Sequence, residues 1–152
     1  MRDPKEPPSP APAELVCACA NLRRAARAVS RLYEDALAPV DLSSTQMTLL
    51  MFLGRRGPTL LTTLASALAM DRTSLYRALR PLERRELVRV RATADRRAKE
   101  VLLTVDGERH LAKAMPYWHR AQKTFLDAFG TSAWDRLRQG LTHVVSVTEQ
   151  AP

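Results

Sequence analysis

Apolar residues recur along this chain in two periods, and the switch between them marks out its elements. From Ala13 to Ala38 the positions Leu15, Cys19, Leu22, Ala26, Val29, Tyr33 and Leu37 form one helical stripe, which Pro39 closes. Ser43-Ser44-Thr45-Gln46 is a capping-box pattern that opens a second helix to about Arg55. With Met47, Leu49, Leu50, Met51, Phe52 and Leu53 this helix is apolar on most sides and belongs in the core. Gly57-Pro58 ends it, and Thr59-Leu60-Leu61 has the length of a short strand. Thr62 to Leu82 reads as two short helices joined by a tight turn, the first ending at Met70. In the second, capped by Asp71, Leu75, Leu79 and Leu82 recur at helical spacing while Thr73, Arg77, Arg80 and Arg84 fall on the opposite face.

The period then drops to two. Leu87-Val88-Arg89-Val90-Arg91 alternates as a strand, Thr93 to Arg97 is a polar run, and Glu100 to Leu103 alternates again, which makes a β-hairpin with an arginine-tipped loop. Thr104-Val105-Asp106-Gly107 leads into a long helix to about Phe129, where Gly130 is expected as a left-handed cap. Thr131 is expected to cap a last helix carrying Trp134, Leu137, Leu141, Val144 and Val145. The fold class is therefore mainly α with a small β-wing: a winged helix-turn-helix over about 43–104, flanked by dimerisation helices over about 13–38 and 105–150. Residues 1–12, with their repeated prolines, are expected as a flexible arm outside a single domain of 13–152.

In a helix-turn-helix the second helix enters the DNA major groove, and arginines at the tip of a following hairpin are placed to enter a minor groove. The residues that make this pattern, LASALAMDRTSLYRALRPLERRELV followed by DRR and LTVDG, resemble the MarR family of bacterial transcription regulators. The resemblance runs from about the first helix to the C-terminus. It implies a homodimer on a pseudo-palindromic operator of double-stranded DNA, without a cofactor or metal. Thr73, Ser74, Tyr76 and Arg77 would read base edges or nearby phosphates, Arg80 and Arg84 would take phosphates, Arg96 and Arg97 would reach the minor groove, and Asp95 would hold a wing arginine by a salt bridge. Two departures stand out. Glu86 replaces the family's usual Gly in the turn into the wing, and Pro81 lies inside the recognition helix, where it should bend it.

Composition sharpens this picture at one point. The 152 residues carry a formal charge of +8 and a pI near 10.3, which favours a polyanionic partner. Between Arg72 and Arg97 nine arginines are opposed only by Glu83, Glu86 and Asp95, so the excess gathers on the expected DNA-reading stretch. No apolar run has membrane-spanning length and no secretory leader is visible, so a cytoplasmic protein is expected. Scattered His110, His119 and His143, with no phosphate loop or nucleophile elbow, argue against an enzyme.

Regulation leaves alternatives open. Cys17 and Cys19, two apart on a helix, point to different faces and cannot bridge each other while it is intact; burial as small hydrophobes is the commoner fate of free cysteines. The placing of Cys19 relative to Tyr33 and Gln46 also resembles the organic-hydroperoxide-sensing branch of the family. That likeness would make Cys19 the redox thiol and Tyr33 its hydroxyl partner, with Arg23 and Ser44 standing where the branch has two further tyrosines. The family's other mode is a small aromatic ligand in a cleft, for which Tyr117 and Trp118 are candidate lining residues. The function expected is a sequence-specific repressor released by such a ligand or by thiol oxidation. A sequence-tolerant architectural DNA-binding protein is the alternative.

Overall fold

A computed structural model describes residues 17–95 and 98–149 of the chain. The expected arm, Leu15 and the wing arginines Arg96 and Arg97 lie outside the described residues. The elements in order are α1 (Ala18–Leu37), a 3-10 turn (Ala38–Val40), α2 (Ser44–Arg56), β1 (Thr59–Leu60), α3 (Leu61–Ala67), α4 (Arg72–Arg84), β2 (Val88–Ala92), β3 (Lys99–Leu103), α5 (Val105–Phe129) and α6 (Thr131–Glu149). The chain divides into two compact units, Met1–Leu32 and Tyr33–Pro152. In the first, the described residues form the opening of α1, whose apolar Leu22 and Val29 are exposed. The second holds the core.

That core is built mainly from leucine. Met47, Leu49, Leu50 and Leu53 of α2, Leu61 and Leu64 of α3, Leu75, Leu79 and Leu82 of α4, and Val88 and Val101 of the sheet are all buried. Each such side chain removed from water contributes on the order of 1.5–3 kcal/mol before the entropy of ordering it is charged. The sheet is antiparallel in the order β1-β3-β2, with Thr59 opposite Val101 and Val90 on its other side. β1 thus closes the hairpin's inner edge and leaves the wing projecting from β2 and β3.

Local chemistry fixes where the helices begin and end. The capping box of α2 forms as expected: Ser43 Oγ accepts from the Gln46 amide at 3.2 Å, and Gln46 Oε1 accepts from the Ser43 amide at 2.9 Å. α3 stops at Ala67 rather than Met70, because the chain turns back on itself there. The Met70 amide donates to Ala65 and that of Ala69 to Ser66, with Ala69 at φ 48°, the pattern of a Schellman cap. α4 leaves in the same way. The Leu87 amide donates to Leu82 and that of Glu86 to Glu83, while Leu82 and Leu87 are both buried. Glu86 therefore adopts φ 55°, the left-handed conformation the turn requires and that glycine would take without strain.

Several sequence expectations are corrected at the ends of elements. Cys17 precedes α1 rather than lying within it, its carbonyl accepting from the Asn21 amide, so the argument that two helical cysteines face apart does not apply to it. Pro39 sits inside the 3-10 turn instead of closing the chain's helix outright. At the α5–α6 corner Gly130 has φ 89° and ψ 132°, positive but not left-handed helical. Its carbonyl accepts from the Trp134 amide, so Gly130 takes the capping position and Thr131 is the first helical residue. Pro81 lies within α4, which continues through it to Arg84. Pro116 lies within α5, a position the periodic pattern had not singled out as a break.

Two residues join the wing to α5. Thr104 caps that helix, accepting from the Gly107 amide at 2.9 Å while its hydroxyl donates to the Glu86 carbonyl at 2.6 Å. Gly107 lies so close to the start of β2 that a Cβ there would sit 2.0 Å from the Leu87 carbonyl oxygen. Glu86→Gly should raise stability by about 1 kcal/mol in urea denaturation, since it relieves a left-handed non-glycine residue while keeping the backbone bonds. Gly107→Ala should lower it by at least about 2 kcal/mol in the same assay, because the obstructing atom is backbone and cannot swing away.

Candidate nucleic-acid interface

Helix α4 presents its functional side chains by burying the others. With Leu75, Leu79 and Leu82 sealed against the core, the 100° step of the helix carries Thr73, Arg77, Arg80 and Arg84 to the exposed side. Together with Tyr76 and Pro81 they line an open groove of about 700 Å³. Among the described residues none of Arg77, Arg80 and Arg84 forms an ion pair. Three unneutralised guanidinium groups along one groove form an anion-attracting row.

The start of α4 is held by Asp71. Its Oδ1 accepts from the Ser74 amide at 2.9 Å and its Oδ2 from the Ser74 hydroxyl at 2.5 Å. Those bonds, the Ser74 hydroxyl first, hold the Asp71 carboxyl below its ordinary value of 3.8. A depressed carboxylate stabilises the fold above its ordinary pKa and loses that contribution as pH falls through the lower, folded one, so the cap is intact at neutral pH. Ser74, expected on the reading face, spends its hydroxyl proton on this cap. Tyr76 is half-buried against the core with the Arg72 guanidinium 5.8 Å from its ring centroid.

The basic stretch splits by role. Arg91 pairs with Glu100 at 2.6 Å across the hairpin. Arg85 turns away from the groove. It lies 3.3 Å from the Asp41 carboxylate, donates to the Asp41 backbone carbonyl, and sits 3.3 Å from His110 Nε2, which itself lies 2.9 Å from the Val40 carbonyl oxygen. This ties the end of α4 to the turn before α2 and to α5. Sequence spacing gave no signal for it, because the partners are 44 and 25 positions away. Asp95 lies in the described part of the wing loop, where its carbonyl accepts from the Ala98 amide at 2.8 Å and from the Thr93 hydroxyl.

Cys17 and Cys19 are both exposed, which corrects the expectation of buried small hydrophobes. The Tyr33 hydroxyl donates to Gln122 Oε1, its ring lies 6.5 Å from that of Trp118, and burial pushes its phenol above the ordinary tyrosine range, so it stays a neutral donor. Tyr117 and Trp118 are half-buried against the core, with Arg120 over the Tyr117 ring at 5.1 Å. Among the described residues no single helix is long and apolar enough to cross a membrane, and no cluster of His, Cys, Asp and Glu could hold a metal ion.

Comparison with known proteins places this geometry in a group. The MarR family profile matches residues 42–99. The transcriptional regulator MosR of M. tuberculosis, solved in complex with DNA, is 35% identical, with a TM-score of 0.80 over 88% of this chain and 97% of that one. The transcriptional repressor CouR, bound to a 23-mer DNA duplex, is 26% identical, with a TM-score of 0.74 over 84% of this chain and 92% of its own. BpsR of Bordetella bronchiseptica, whose DNA binding is regulated by 6-hydroxynicotinic acid, is 22% identical with a TM-score of 0.71 over 82% and 95%, a likeness of fold. No curated relative matches the chain.

Adjacent arginines should separate cleanly by stability. Arg85→Ala should cost about 1–2 kcal/mol in denaturant unfolding, since it strips a charged donor from two carbonyl and carboxylate acceptors. Arg84→Ala, which removes a solvated side chain, should stay within about 0.5 kcal/mol of the parent.

Proposed function

The chain belongs to the MarR family of DNA-binding transcription regulators, and we propose from that premise that it is a sequence-specific homodimeric repressor reading a pseudo-palindromic operator. The observation that carries the reading is the row of arginines on the outer face of α4, without ion-pair partners among the described residues. Thr73 at the start of that face and Arg77 further along it are assigned to base edges, with Tyr76 packed beside them; Arg80 and Arg84 are assigned to phosphates. The wing arginines Arg96 and Arg97 complete the footprint in a minor groove, with Asp95 steadying them.

Two-fold symmetry is supported by the terminal helices. Leu137, Val144, Val145 and Val147 of α6 are 37–46% exposed, and α1 leaves Leu22 and Val29 exposed as well. Apolar rows of that length are what a second copy would cover, and the pairing would set two recognition helices about one DNA turn apart. For release we assign two routes. A small aromatic ligand is supported by the likeness to ligand-regulated BpsR. Thiol oxidation at Cys19 is supported by the resemblance of its placing to the hydroperoxide-sensing branch of the family. The organism-independent alternative, an architectural protein indifferent to sequence, would use the same cationic groove on phosphates alone.

Fluorescence anisotropy on the protein's own upstream DNA and on scrambled DNA tests the reading. Arg77→Ala should weaken binding to the specific duplex by about 1–3 kcal/mol and leave binding to scrambled DNA nearly unchanged. Equal losses on both would reject the base-reading assignment and favour the architectural one. Repeating the titration after cumene hydroperoxide, with Cys19→Ser as control, distinguishes thiol release from release by a ligand.

A further inference from the structure

We propose that Arg72 and Lys99 converge on a small notch beside the recognition helix that seats one phosphate of the DNA backbone, and so couple the loop end of the wing to α4. The notch measures about 160 Å³ and is lined by Leu61, Thr62 and Ala65 of α3, Arg72 and Tyr76 of α4, and Lys99 at the start of β3, with Leu60 at its lip. Its volume is several times the roughly 30 Å³ share of a single water and well below the roughly 300 Å³ at which drug-sized ligand pockets begin. A single tetrahedral anion group suits that size.

The lining chemistry selects the anion. Two cations and two hydroxyls, those of Thr62 and Tyr76, arrive from three separate elements, and among the described residues no carboxylate lines the notch. Among the described residues neither Arg72 nor Lys99 is ion-paired. Asp71, next in sequence, is committed to Ser74. The Tyr76 ring orders the Arg72 guanidinium without neutralising it. The apolar floor of Leu61 and Ala65 keeps water from one side, which strengthens the pull of both cations on an anion. Leu60, 40% exposed, offers an apolar lip for the deoxyribose attached to the same phosphate.

Position identifies the anion as part of nucleic acid. Tyr76 lines both this notch and the arginine groove, so a strand whose bases face α4 passes the notch with its backbone. The inference rests on the DNA-reading assignment of that groove. Arginine contributes a planar fork and lysine a point charge, a pair that holds a phosphate from two sides and fixes the rotation of the duplex rather than its sequence.

The salt dependence of binding tests it. In the double variant Arg72→Gln/Lys99→Gln, the slope of log K against log[KCl] should become shallower by about 0.9 for each protomer bound, equally on operator and scrambled DNA. A methylphosphonate scan of the operator should find one phosphate per half-site whose neutralisation weakens the parent protein but not the double variant. An unchanged slope, or a methylphosphonate pattern identical in parent and variant, would overturn the proposal. Arg77→Ala run in parallel isolates the underlying reading: if it alters neither affinity nor discrimination, the groove assignment fails, whereas a normal Arg77→Ala loss with a neutral double variant removes the notch alone.

Discussion

Everything the outer surface of α4 can do follows from the burial of three leucines. Leu75, Leu79 and Leu82 are each at most 1% exposed, and a helix that seals positions four and seven apart has no rotational freedom left. The opposite face is then dictated rather than chosen. Thr73, Arg77, Arg80 and Arg84 lie there because the chain steps 100° per residue, and none of them needs a partner inside the protein to hold its direction. Apolar burial supplies the energy, and the same geometry supplies a cationic row that remains free for another molecule.

Turn chemistry decides how accurately that row is aimed. α3 and α4 both end in Schellman caps, and both place a non-glycine residue, Ala69 or Glu86, at positive φ. Each costs on the order of 1 kcal/mol relative to glycine, and behind Glu86 the buried pair Leu82 and Leu87 offsets it. The caps are nevertheless rigid, because each satisfies two orphan helix carbonyls at once. Past Glu86 the Thr104 hydroxyl grips the same turn from the far side, so the end of α4, the base of the wing and the first turn of α5 share one hydrogen-bonded junction. Arg85 adds a second tie from that junction to Asp41 and His110.

Period and capping made most of this fold legible in the sequence. The leucine spacing in α4, the alternation of Val88 and Val90, the capping box at Ser43 and the cap at Asp71 each have a local cause that a single chain displays. What stayed hidden depends on contacts between distant positions. Arg84 and Arg85 are chemically identical neighbours, and only the fold tells that one is solvated while the other is clamped. The position of Ser74 suits a reading residue, and only the fold shows that its hydroxyl proton goes to the Asp71 carboxylate. The cysteines were misjudged for a related reason. Burial statistics describe folded cores, whereas Cys17 and Cys19 lie exposed at the opening of α1.

That exposure bears on why the chain carries so much apolar helix outside its core. Among its described side chains α6 has no buried residue, although it carries the apolar Leu137, Val144, Val145 and Val147. Covering such surface with a partner would contribute roughly 25 cal/mol for every Å² removed from water, set against the entropy of association. The winged helix closes its core without α6, and its cationic groove is complete on one copy. A single groove, however, reads only a few base pairs, and discrimination accumulates with each base contacted at about 1–3 kcal/mol. Pairing two copies through the terminal helices would double the bases read while hiding the apolar rows, so the same association that removes an unfavourable surface also raises the specificity the α4 face can reach.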